Sequence, residues 1–246
     1  MVGKPKIIGV IPARLDSTRL PGKVLRKIGN KTMVQWVYER ARRSPLLDEL
    51  LVATDNEQVR NHCQDMQMPV VMTGPHYSGS DRVCEIVLKT DAEIYVNIQG
   101  DEPTITTDHI ELMLNPILRG ESEVSTLKFG IDKYTAEDPN HVKVVTDQRD
   151  RALYFSRHPI PFNRDATGNV RYFKHIGLYG YTRKALLTFR SLPPSPLESA
   201  EKLEQLRFLE NGITVIVKET QQDAIDVNTE EDLKKAASFL LQGEQQ

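Results

Sequence analysis

The chain of 246 residues is 39% hydrophobic and 27% charged with a formal net charge of −2, the balance of an ordinary globular protein. That charge excludes a polybasic nucleic-acid binder, and every apolar run falls far short of the roughly 20 residues that span a bilayer. Cys63 and Cys84 form neither a CxxC pair nor a disulfide framework, and residues 1–6 are not an apolar leader, so a reducing, cytoplasmic setting is expected.

In chain order, Ile7-Ile8-Gly9-Val10-Ile11 is a continuous apolar run, the pattern of a strand buried on both faces. Met33, Val37, Tyr38 and Ala41 then recur at helical spacing. Leu50 to Ala53 predicts a second strand, Glu57 to Gln64 a helix and Pro69 to Met72 a third strand. Ser80 is placed to cap a helix carrying Val83, Ile86 and Val87. Ile94 to Ile98 predicts a fourth strand, and Ile110, Met113, Leu114 and Ile117 mark one face of the next helix. This rhythm predicts an α/β fold: a single doubly wound, mainly parallel sheet with helices on both faces. Ligands collect at the carboxyl ends of the strands in such sheets.

The second half reads differently. Val142 to Thr146 and Ala152 to Phe155 predict strands joined by a turn, and Tyr172 to Tyr181 an extended stretch. Leu197 to Leu209 is expected to be one helix, Ile213 to Val217 a strand and Glu230 to Leu241 a closing helix. The weakest join lies at Gly120 to Pro139, yet the chain is taken as one domain over 1–246, with a small mixed α/β subregion in its second half.

Two segments carry chemistry. Ala13-Arg14-Leu15-Asp16-Ser17-Thr18-Arg19-Leu20-Pro21-Gly22-Lys23 follows the first strand with two arginines and a lysine. Arginine grips phosphate oxygens in a fork, lysine adds a mobile charge, and Ser17, Thr18 and Gly22 permit close approach. A basic loop is more often a solvated surface, but this one occupies the ligand edge, which favours a phosphate clamp. Neither a Walker A loop nor GxGxxG is present. After the fourth strand, Gln99-Gly100-Asp101-Glu102 ends in two carboxylates. An ordinary polar turn would look the same; opposite a phosphate clamp, Asp101 suits Mg²⁺.

The motifs IPARLDSTRLPGK, MTGPHYSGSDR, VNIQGDEP, LYFSRHPIPFNRD, KHIGLYGY and EKLEQLR occur in that order. Together they resemble the 3-deoxy-manno-octulosonate (Kdo) cytidylyltransferases, from the first strand to the last helix. The resemblance implies transfer of a cytidylyl group from CTP to Kdo with Mg²⁺, a homodimer and a part in lipopolysaccharide synthesis. It makes residues 1–120 the CTP-binding half and 121–246 the sugar-acid and dimer half.

By motif, Arg14, Lys23 and Asp101 would be catalytic. Ala13, Arg14, Ser17, Arg19, Lys23, Ser78, Gly79, Asp81, Arg82 and Gln99 would surround the nucleotide. Gln99, Arg157, His175, Tyr179, Glu204 and Gln205 would meet the sugar acid. The bland readings are a helix cap at Ser78, a satisfied structural His175, and a solvated helix face for Glu201, Glu204 and Arg207.

One departure stands out. The family pattern carries a metal-binding aspartate where this chain has Asn228, and a glycine where it has Asp226. If the stretch is extended, 226 and 228 share a face, and Asp226 can supply the charge; the other reading is that the metal site has lost a carboxylate. The rival functions are a cytidylyltransferase for 8-amino Kdo or a sialic acid, and a CTP-binding sensor without turnover. Neither nucleic acid nor membrane is expected as a partner.

Overall fold

The computed structural model describes residues 3–243 apart from Thr18, Tyr77, Ala166, Thr167 and Asn169. The chain divides into two compact units, Met1–Glu111 with Asp223–Gln246, and Leu112–Gln222.

In the first unit, β1 (Ile7–Pro12) is buried along nearly its whole length. A two-stranded antiparallel ribbon follows, β2 (Lys27–Ile28) and β3 (Lys31–Thr32), and then α1 (Met33–Ala41). Thr32 caps α1 by accepting from the Gln35 N–H. Next come β4 (Glu49–Thr54), α2 (Glu57–Asp65), β5 (Val70–Met72), α3 (Gly79–Lys89) and β6 (Ile94–Asn97). The strands lie in the order β6-β1-β4-β5, all parallel. A central strand with parallel neighbours has no edge facing water, which is why β1 reads as unbroken aliphatic sequence.

Helix α4 (Thr107–Leu118) leads into the second unit. There β7 (Val124–Ile131) precedes α5 (Lys133–Glu137), β8 (Lys143–Thr146), β9 (Ala152–Ser156) and β10 (Tyr172–Thr182). After α6 (Arg183–Ser191), α7 (Pro196–Glu201) and α8 (Leu206–Glu210), β11 (Val215–Thr220) closes this unit. Strand β7 lies between antiparallel β10 and parallel β11, while β8 pairs with β9 and β10. The chain then returns to the first unit as α9 (Glu230–Gly243). Val227, Leu233, Ala236 and Leu240 pack there with Leu20, Ile28, Met33 and Trp36.

Three local expectations change. The join at Gly120 to Pro139 holds β7, the middle strand of the second unit. Its polar residues disguised it, because each is buried with a partner: Ser125 donates to the Met113 carbonyl, Thr126 to the Ile176 and Leu178 carbonyls, and Lys128 to the Thr146 hydroxyl. The cap of α3 is Ser78, whose Oγ accepts from the Asp81 N–H at 3.0 Å, and Ser80 is buried inside the helix. The helix expected over Leu197 to Leu209 breaks in two at Lys202, which adopts φ 56°. The break lets Glu198 and Arg207 meet at 2.5 Å, whereas nine residues of straight helix would separate them by about 13.5 Å.

The Arg207 side chain is only 7% exposed, so Glu198→Ala strands a buried cation. The expected cost is about 3 kcal/mol, seen as a lower urea midpoint. Glu198→Ala with Arg207→Met should recover part of it; a single variant as stable as the unaltered chain would show that the pair does not hold the break.

Candidate active site

The first unit builds its site from the ends of β1 and β6. Where β1 stops, the Ala13 N–H still bonds to the Ala53 carbonyl at 2.9 Å, so the loop leaves the sheet from a fixed point. Leu20 is buried as its anchor, the Ser17 hydroxyl accepts from the Leu20 N–H, and Gly22 turns the chain at φ 65° into a single 3₁₀ turn from Lys23 to Leu25. Glycine adopts that angle without strain. Arg14 stays exposed at the loop's start. Thr18, and Tyr77 of the later motif, lie outside the described residues.

The turn after β6 lies against this loop. A Cβ on Gly100 would stand 2.8 Å from the Pro12 carbonyl oxygen, so only glycine allows the approach. Asp101 follows at once, and its carboxylate meets the Lys23 ammonium at 2.5 Å. The segment before α9 is tied to the same turn: the Val227 N–H donates to the Asp101 carbonyl and the Ile225 N–H to the Thr104 hydroxyl. Asn228 thereby reaches the loop. Its Oδ1 accepts from Arg19 at 2.9 Å and Lys23 at 3.3 Å, while its Nδ2 donates to the Asp226 carboxylate at 2.5 Å.

This donor set fits Mg²⁺. Asp101, Asp226 and the Asn228 amide offer hard oxygens, and one ammonium already satisfies two of the three groups. Among the described residues no three His, Cys, Asp or Glu side chains converge on a metal site. Two carboxylates suffice for Mg²⁺, which keeps waters and takes phosphate oxygens as its other ligands.

The remaining nucleotide candidates gather at the start of α3. Ser78 donates to the Asp81 carboxylate at 2.7 Å while capping the helix. Arg82 is buried, donating to Thr73, the Gly74 carbonyl and Asp55, so its guanidinium fastens the approach to the helix. Glu85 fastens the other side: burial pushes its carboxyl up, but Lys89, His76 and the Gly74 N–H hold it at about 2. A Cβ on Gly79 would lie 3.4 Å from Asn97 Nδ2 and 3.5 Å from Gln99 Nε2. Gln99 donates to Asn97 Oδ1, and among the described residues no acceptor meets the buried Asn97 Nδ2. Asn97 went unnoticed in the sequence, although a polar residue ending a buried strand was a usable signal.

In the second unit, His175 and Tyr179 come together, their rings 5.1 Å apart despite a register shift between Ile176 and Tyr179. His175 pairs with the Thr126 hydroxyl at 3.0 Å, and Phe155 meets its ring edge-on. Burial first, then the Lys174 charge, push its pKa from 6.5 down to about 3. A group so weakly basic is ill suited to be a general base near neutral pH.

Arg157 lies on Glu201, bonded through its N–H to the carboxylate and through Nε to the backbone carbonyl, with a further bond to the Pro139 carbonyl. Glu201 also accepts from Ser156 at 2.6 Å. Despite burial, these bonds lower its carboxyl below the usual range. In the sequence Glu201 reads only as part of a solvated helix face, because its partners are some 45 residues away. Glu204 and Gln205 occupy the turn between α7 and α8, with Gln205 buried.

The Cytidylyltransferase family profile matches residues 8–220. The chain is 48% identical to a 3-deoxy-manno-octulosonate cytidylyltransferase of Acidobacterium capsulatum, over 96% of this chain and 97% of the relative. It is 49% identical to the protein of the same name from Solibacter usitatus, over 97% of each. A solved CMP:2-keto-3-deoxy-manno-octonic acid synthetase in complex with CTP is 42% identical and superposes with a TM-score of 0.91, over 97% of this chain and 99% of that one.

Two outcomes are expected from the geometry. Gly100→Ala forces the β6 turn off Pro12 and should cost about 1–3 kcal/mol, read as a urea midpoint; an unchanged midpoint would show that the approach is dispensable. His175 binds protons less readily folded than unfolded, so its contribution to stability is intact above pH 6.5 and is lost as the pH falls toward 3. Its imidazole resonances should not titrate between about pH 5 and 8; a midpoint near the ordinary value would contradict the burial.

Proposed function

The chain belongs to the 3-deoxy-manno-octulosonate cytidylyltransferase family, and on that premise we propose that it transfers a cytidylyl group from CTP to Kdo, releasing pyrophosphate. The observation that carries this reading is the cluster of Arg19, Lys23, Asp101, Asp226 and Asn228, in which cations and hard oxygens share one small space. Such a cluster suits a metal-bound triphosphate.

The anomeric hydroxyl of the sugar acid attacks the α-phosphorus. A new oxygen–phosphorus bond forms, the bond to the β-phosphate oxygen breaks, pyrophosphate departs and the hydroxyl proton passes to solvent. Arg14, Arg19 and Lys23 neutralise the phosphates and the leaving group. Asp101 and Asp226 would hold Mg²⁺, which would supply further neutralisation and lower the pKa of the attacking hydroxyl.

Ser78 and Gly79 allow the nucleoside close to the backbone, with Asp81 and Arg82 keeping that backbone in place; Ala13, Ser17 and Gln99 line the same ligand. Toward the sugar acid, Arg157 pairs with the carboxylate, and His175, Tyr179, Glu204 and Gln205 bond to hydroxyls, His175 as a neutral imidazole. Positioning and charge neutralisation then account for most of the rate.

Three further parts of the reading follow. The enzyme makes a lipopolysaccharide precursor. It works in the cytoplasm, in keeping with buried Cys63 and Cys84 that form no disulfide among the described residues. It is a homodimer, for which exposed Tyr134, Leu153 and Phe162 supply apolar surface.

Pyrophosphate release measured with CTP, Mg²⁺ and each of Kdo, 8-amino Kdo and a sialic acid tests the assignment. Kdo should be turned over fastest, and CTP binding without release would sink the enzymatic reading. Lys23→Ala should lower kcat by about 100-fold or more with an unchanged circular dichroism spectrum; turnover at the unaltered rate would remove the phosphate clamp.

A further inference from the structure

Asn228 holds two kinds of charge at once. Its amide oxygen faces Arg19 and Lys23, and its amide nitrogen faces Asp226. The orientation is not arbitrary, because flipping the amide would set N–H groups against two cations and an oxygen against a carboxylate. Helix capping does not explain the side chain. At the start of α9 the capping bonds run between Thr229 and Asp232, and Asn228 joins them only through its backbone N–H. The amide of a residue only 9% exposed is thus spent on the charge cluster.

We infer that Asn228 is a positioning residue for nucleotidyl transfer: its neutral amide aims Lys23 and Arg19 without cancelling their charge, and holds the Asp226 carboxylate with the same group. The inference rests on the proposed function, which gives those cations the phosphates and that carboxylate the metal. Two charges of each sign, on Arg19, Lys23, Asp101 and Asp226, balance around it. A carboxylate at 228 would accept from both cations, but it would have no N–H for Asp226 and would add a third negative charge where the triphosphate binds.

Asn228→Asp preserves shape and changes only this. It should raise the KM for CTP about tenfold with kcat altered much less, as an added like charge does at short range. It should also tighten Mn²⁺ binding to the nucleotide-free protein, followed by electron paramagnetic resonance. Asp226→Gly with Asn228→Asp moves the charge rather than adding one, and should bring the KM back to within about threefold of the unaltered value. An unchanged KM in Asn228→Asp overturns the inference. So does an Asn228→Ala protein with a shifted thermal midpoint but unaltered KM and Mn²⁺ affinity, since that is a structural role only. Asp226→Asn separates the two readings. Unchanged Mn²⁺ affinity there removes Asp226 from the metal, while the CTP effect of Asn228→Asp still decides the role of Asn228.

Discussion

Gly100 lies against the carbonyl of Pro12 because it has no side chain to keep it away, and the arrangement of the first unit depends on that approach. Two loops leave the neighbouring parallel strands β1 and β6. Here they converge, so Asp101 emerges beside Lys23 and not into solvent. The segment from Ile225 to Asn228 is then bound to the same turn through Thr104 and the Asp101 backbone. Backbone contacts thus place Asp101 and the segment that carries Asp226 and Asn228. Groups placed this way are preorganised: little rearrangement is left for the moment a ligand arrives.

The second unit achieves order by different means. Its polar residues turn inward and are satisfied there, Ser125 and Thr126 by carbonyls, Lys143 by the carbonyls of Asp138 and Arg157. Glu201 gathers Ser156 and the Arg157 backbone around one carboxylate. Buried polar groups are costly unless each finds a partner, and a fully paired set admits few alternative packings. His175 belongs to this economy. Its neutral ring is a hydrogen-bonding surface of constant charge across the pH range in which a cell operates.

Much of this was legible in the sequence and some was not. The aliphatic run of β1 declared a buried strand, and the loop with Arg14, Arg19 and Lys23 does follow directly from it, as the phosphate-clamp expectation required. Strand β7 was hidden because Ser125, Thr126 and Lys128 look like a linker unless their partners in distant segments are known. The break at Lys202 was hidden for a similar reason: nothing local forbids a helix there, and the pairing of Glu198 with Arg207 that accompanies it is visible only in the fold. At Asn228 the letters left two readings, a carboxylate supplied from 226 or one lost. Only coordinates showed which way the amide faces.

The return of α9 to the first unit has a consequence for how the chain is made. Leu233, Ala236 and Leu240 complete a core whose other members include Leu20, Met33 and Trp36. During synthesis from the N-terminus, the contiguous stretch 112–222 emerges whole while that core still lacks one wall. The ribosome must deliver some 200 residues between Trp36 and Leu240 before the wall is in place, leaving an apolar surface for chaperones to shield in the meantime.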